Sequence, residues 1–67
     1  MSQVMIMVYE AGKVERTCNL LADLDKNNEV TKIYDYNNNE LKINFQRSEV
    51  YFNMTWWQFS KKQNGSF

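Results

Sequence analysis

The chain has 67 residues, 43% of them hydrophobic and 15% aromatic, with eight Lys/Arg balanced by eight Asp/Glu. That composition excludes a disordered chain and describes one domain near the lower size limit for a core that stands without metals or disulfides. Zero net charge removes the basic excess on which non-specific nucleic-acid affinity rests, although every acidic residue lies between Glu10 and Glu49 and Lys61 and Lys62 come after them.

Val4, Ile6 and Val8 alternate with other residues and open a first strand. Glu10-Ala11-Gly12-Lys13 reads as a hairpin turn, with Gly12 free to take positive φ. The next segment fits two periods. As a strand, Val14, Cys18, Leu20, Ala22 and Leu24 share one face with Arg16 as the misfit; as a helix, Val14, Cys18, Leu21 and Leu24 form a stripe. No good N-cap precedes it, and Thr17 and Asn19 are poor helix formers. Three further apolar sets continue at strand period: Val30, Tyr34 and Tyr36; Leu41, Ile43 and Phe45; then Val50, Phe52, Met54 and Trp56.

The turns between them are Asn-rich or polar, and they imply a register. A turn at Lys26-Asn27-Asn28 sets Leu24 opposite Val30 and Leu20 opposite Tyr34. A two-residue turn at Asn38-Asn39 sets Tyr36 opposite Leu41 and Tyr34 opposite Ile43. Closure at Gln46–Glu49 sets Phe45 opposite Val50 and Ile43 opposite Phe52. Each pairing keeps apolar residues on one face, which is what fixes register in a half-buried sheet. The segments beginning Asn27-Asn28 and Asn38-Asn39 look like two similar turns.

A one-faced sheet must close on itself or gain a second layer. The expected fold is therefore all-β: a small five-stranded antiparallel meander or barrel over residues 1–59, with a flexible tail at 60–67. The alternative is α+β, a four-stranded antiparallel sheet covered by one helix at about 13–25.

The absence of histidine removes the commonest general base and metal ligand. Cys18, the only cysteine, has no histidine to activate it and reads as a buried small hydrophobe. It permits no intramolecular disulfide and suits a reducing compartment. Asp23 to Glu29 faintly resembles the start of a calcium loop, but Asn28 stands where that loop needs glycine and Tyr34 where it needs glutamate, so the segment reads as a solvated turn. Asn53-Met54-Thr55 and Asn64-Gly65-Ser66 fit the glycosylation pattern, as chance allows with nine asparagines. The N-terminal stretch has no basic n-region, and no run reaches the roughly 18 apolar residues of a membrane span. These features predict a cytoplasmic protein with no cofactor, no metal and no membrane partner, and not an enzyme.

Trp56-Trp57 is the most suggestive pair, because adjacent residues of a strand point to opposite faces. With Trp56 in the core, Trp57 is placed outside with Tyr51 and Phe59, beside Lys42, Asn44 and Ile33. Tyr51, Trp57 and Phe59, with Lys42 and Arg47, are thus the expected partner-binding residues, an aromatic cluster ringed by polar groups. The favoured function is a non-enzymatic protein-binding module that occludes a partner's surface. The Lys/Asn-rich, proline-free composition suggests a phage- or mobile-element-encoded inhibitor or regulator. The runner-up is a small barrel that binds single-stranded nucleic acid through the same aromatics with Lys61 and Lys62 added. The apolar first strand at 4–9 lacks charged guards, so homo-oligomerisation through its edge is also expected.

Overall fold

A computed structural model describes residues 3–63. Six strands succeed one another: β1 (Gln3–Glu10), β2 (Lys13–Leu24), β3 (Val30–Tyr34), β4 (Lys42–Asn44), β5 (Glu49–Phe52) and β6 (Thr55–Gln58). They form one antiparallel sheet in the order β3-β2-β1-β6-β5-β4. The outermost strands approach each other: the Leu41 N–H donates to the Ile33 carbonyl at 2.8 Å, and Tyr34 bridges Glu40. The sheet is thus nearly closed into a barrel. Two three-stranded halves, β3-β2-β1 and β6-β5-β4, share a short strand pairing where Tyr9 and Glu10 face Gln58 and Trp57. The all-β expectation holds with six strands in place of five, and the segment considered for a helix is β2.

The inner face carries Ile6, Val8, Leu20, Ala22, Val30, Ile33, Val50, Trp57 and Phe59, all buried, with no buried polar or charged residue among those described. Val4, Cys18, Leu24, Leu41, Ile43 and Phe52 pack around them. Cross-strand pairs Val4–Ala22, Ile6–Leu20 and Val8–Cys18 assemble the β1–β2 part of this core, as alternation demands of two strands sharing one apolar face. The β1–β2 pairing jumps from Tyr9–Thr17 to Glu10–Lys13. Residues 14–16 therefore bulge, which accommodates Arg16, the misfit of the alternation. Its Nε lies 3.4 Å from Glu10 Oε1, an ionic contact without hydrogen-bond geometry.

Three expected pairings shift, each by a local irregularity. Leu24 does face Val30, but Asp23 then faces Lys32, so Thr31 is an extra residue in β3. One extra residue inverts the faces beyond it. Ile33 goes inward at 0% exposed, Tyr34 turns outward opposite Leu21, and Tyr36 lies in the next turn, exposed. The Thr31 hydroxyl donates to the Asp23 carbonyl at 3.1 Å and holds the bulge.

Second, β3 and β4 are not a regular hairpin. The connection is a five-residue turn that repeats an earlier one. In Asp25–Glu29 the Asp25 Oδ1 accepts the N–H groups of Asn27 and Glu29, at 2.8 and 3.0 Å. In Asp35–Asn39 the Asp35 Oδ1 accepts those of Asn37 and Asn39, at 2.8 and 3.0 Å. Asn28 and Asn38 have φ of 65° and 66°, which asparagine tolerates better than most residues. The two turns are alike, as the sequence suggested, but aligned on their aspartates.

Third, the last apolar run is not one strand. Asn53 and Met54 both have positive φ, 55° and 61°, and form a two-residue turn that pairs Phe52 with Thr55, Tyr51 with Trp56 and Val50 with Trp57. Positive φ at both central positions is the twist-matched hairpin geometry. The preceding β4–β5 turn spans Phe45–Ser48, so Ile43 faces Val50, and Phe45 sits in the turn at 47% exposed instead of facing Val50.

Of the expected tail, Ser60–Gln63 run beside the start of β3: the Val30 N–H donates to the Lys61 carbonyl at 2.8 Å and the Gln63 N–H to the Asn28 carbonyl at 2.7 Å. The remainder of that tail and the Asn64-Gly65-Ser66 motif lie outside the described residues.

Candidate functional site

The Asn53-Met54 hairpin decides which aromatics face outward. Val50 and Trp57 are partners on the inner face, and Trp57 is 6% exposed. Its indole N–H donates to the Phe52 carbonyl at 2.8 Å, so the polar edge of a buried tryptophan is satisfied locally. Phe59 is 5% exposed. The expected cluster of Tyr51, Trp57 and Phe59 is therefore corrected: Trp57 and Phe59 are core, and so is Ile33, which had been placed beside them.

The outward aromatics on the strands of this half are Tyr51 and Trp56. They are cross-strand partners with ring centroids 5.1 Å apart at an interplanar angle of 60°. That tilted arrangement is favourable for two quadrupolar rings and braces the hairpin. Lys42 is the partner of Tyr51 on the other side, so Lys42, Tyr51 and Trp56 form one transverse row across β4, β5 and β6. The next outward row is Asn44, Glu49, Gln58 and Tyr9. Met54, at the hairpin tip, is 86% exposed. Arg47 lies exposed in the β4–β5 turn, its N–H donating to Asn44 Oδ1 at 3.2 Å.

Three of the five expected binding residues thus remain at the surface: Tyr51, Lys42 and Arg47. The residue missed was Trp56. The signal for it was Asn53, a good first residue for a two-residue hairpin turn, but Met54 stood where glycine would have announced that turn.

A second apolar surface lies on the other half of the sheet. Met5 and Met7 of β1 point outward, 60% and 58% exposed, with Leu21 opposite Met5 and Tyr34 beyond Leu21. The Tyr34 hydroxyl donates to Asp23 Oδ2 at 2.8 Å, and this bond is the main cause that holds the phenol above its ordinary pKa. Burial raises the Cys18 thiol, which keeps it in its unreactive protonated form at neutral pH.

The described residues form no group of three or more potential metal-binding side chains, and they contain no helix long and apolar enough to cross a membrane. No family model matches the sequence, and no curated protein or solved structure matches it either.

Proposed function

We propose that this protein is a non-enzymatic binding module that acts by covering a surface of another protein, as a small inhibitor or regulator does. The outward Tyr51–Trp56 pair carries the reading. Large aromatics on the solvent side of a small sheet, beside the exposed Met54 and the cation of Lys42, have the composition of a binding hot spot with a polar rim. The hairpin presents them rigidly, so little side-chain entropy is lost on contact.

The test is affinity capture from host lysate with wild type and with a Tyr51→Ala/Trp56→Ala double variant whose fold is verified by circular dichroism. A protein retained by wild type and lost by the folded variant supports the reading. Identical capture profiles refute it.

A second reading is favoured by one feature, Lys42 directly opposite Tyr51. A ring for base stacking next to a cation for phosphate is how barrels hold single-stranded nucleic acid. Glu49 in the neighbouring row and zero net charge weigh against it. Titration with an oligonucleotide at low and moderate salt separates the two. Quenching of Trp56 that salt weakens and Trp56→Phe abolishes would favour nucleic acid.

A further inference from the structure

The pairing of β1 with β6 stops after two residues. The Ala11 N–H donates to the Trp56 carbonyl at 3.0 Å, which makes Glu10–Trp57 the pair without mutual bonds and aims the backbone of Tyr9 at β6. Backbone groups alternate in direction along a strand, so those of Gln3, Met5 and Met7 point to the same side as Tyr9. Among the described residues, no strand meets them there. Beyond Gln58 the Ser60 carbonyl accepts the Gln63 side-chain amide at 2.6 Å and the Lys61 carbonyl accepts the Val30 N–H, so the chain has crossed to β3. Among the described residues, the backbone groups that Gln3, Met5 and Met7 aim away from β2 have no backbone partner.

We infer that this edge of β1 pairs with the same edge of a second copy of the chain, antiparallel about a two-fold axis at Met5. In that register Met5 opposes Met5 of the second copy and Gln3 opposes Met7, so about six backbone bonds form. Three observations select a second copy. The strand from Gln3 to Tyr9 carries no charged residue, so self-pairing sets no like charges opposite each other, the usual obstacle to identical strands. Met5 and Met7 are exposed beside the edge, and pairing brings the methionines of both copies together. The edge is self-complementary, because the residues with free backbone groups are spaced symmetrically about Met5. The outer strands β3 and β4 offer no such edge: β3 is bonded by Leu41 and Lys61, and β4 is only three residues long.

The test is sedimentation equilibrium of the full chain from micromolar to millimolar concentration. Wild type is expected to double its mass across that range. Met5→Lys and Met5→Glu, at a position 60% exposed and outside the core, are each expected to fold and stay monomeric, because each sets like charges opposite each other at the axis. Mixed in equal amounts, they are expected to recover the doubled mass as a heterodimer. A wild type that stays monomeric at millimolar concentration overturns the inference, including the case in which it binds an added extended peptide instead. So do charged variants that dimerise like wild type, or a mixture that stays monomeric.

Discussion

Replacing Met54 by glycine tests the feature that most shapes the surface of this protein. Met54 has φ of 61° and is 86% exposed. A non-glycine residue held in the left-handed region costs roughly 1–2 kcal/mol, and glycine removes that cost. Glycine also gives the unfolded chain more freedom, which opposes the gain by about 0.4–1 kcal/mol. Little buried area is lost with so exposed a side chain. The balance is a stabilisation of about 0.5–1 kcal/mol, since strain relief exceeds the entropy term.

For a domain of this size that raises Tm by about 3–6 °C, measured by thermal unfolding monitored by far-UV circular dichroism. The sign decides the matter. If Val50 to Trp56 were one continuous strand, glycine at its centre would destabilise by roughly 0.5–1 kcal/mol. A lower Tm for Met54→Gly would therefore refute the hairpin, and with it the outward placement of Trp56. Asn53→Gly is the companion variant: asparagine already tolerates positive φ, so its effect is expected to be smaller than that of Met54→Gly.

Trp57→Phe should cost about 1–3 kcal/mol in urea unfolding, because it leaves a gap and removes the indole donor to the Phe52 carbonyl; Trp56→Phe should cost less than half as much, and equal costs would contradict the assigned faces. In acrylamide quenching, the lone Trp57 of Trp56→Phe should be protected, and the lone Trp56 of Trp57→Phe should be accessible. The carboxyls of Asp25 and Asp35 are held below their ordinary value, the first mainly by the Glu29 N–H and the second by that of Asn39. A folded pKa below the unfolded one gives stability that is present above the unfolded value and lost as pH falls through the folded one. Urea midpoints of wild type should therefore fall below about pH 4, and the Asp25→Asn/Asp35→Asn variant should show a shallower fall. Cys18, raised by burial, should react with a thiol reagent at neutral pH more slowly than a free cysteine peptide, and an equal rate would place it outside the core margin.

In β1 and in β2 from Cys18 onward the alternation and the structure agree, whereas the equally regular run Val50, Phe52, Met54 and Trp56 is broken by a turn. The inward face of β1 is the one hydrophobic period selects, that of β2 from Cys18 to Leu24 is the strand alternative of two periods the segment fits, and the Leu24–Val30 pair is set by the turn between them. The features the sequence concealed were events of a few residues: the extra Thr31, the bulge at 14–16 and the turn at Asn53-Met54. The extra Thr31 and the turn are nearly silent in composition, because threonine suits a strand and methionine is no turn former, whereas the bulge showed only as the misfit of Arg16. Each nonetheless shifts the side chains beyond it, since a strand has only two faces. The candidate site depended on the last of these. A turn at Asn53-Met54 reverses the chain, so Trp57 meets Val50 in the core and Trp56 meets Tyr51 outside.

The same geometry bears on how the two surfaces could work together. Met5 and Trp56 lie on different halves of the sheet, whose β1–β6 pairing is confined to Tyr9 and Glu10. Ala11, whose N–H reaches Trp56, is six residues along the chain from Met5, a separation of about 20 Å in extended chain. A dimer built on the Gln3–Met7 edge would therefore leave the Lys42–Tyr51–Trp56 row of each copy uncovered, one on either side of the two-fold axis. Two identical faces on a rigid, symmetric body would bind a partner with repeated or two-fold epitopes far more tightly than one face alone, because the second contact forms at high effective concentration. The charged Met5 variants separate these contributions. They keep the aromatic row and lose the pairing, so their apparent affinity for such a partner should drop while that for a single-epitope fragment stays unchanged.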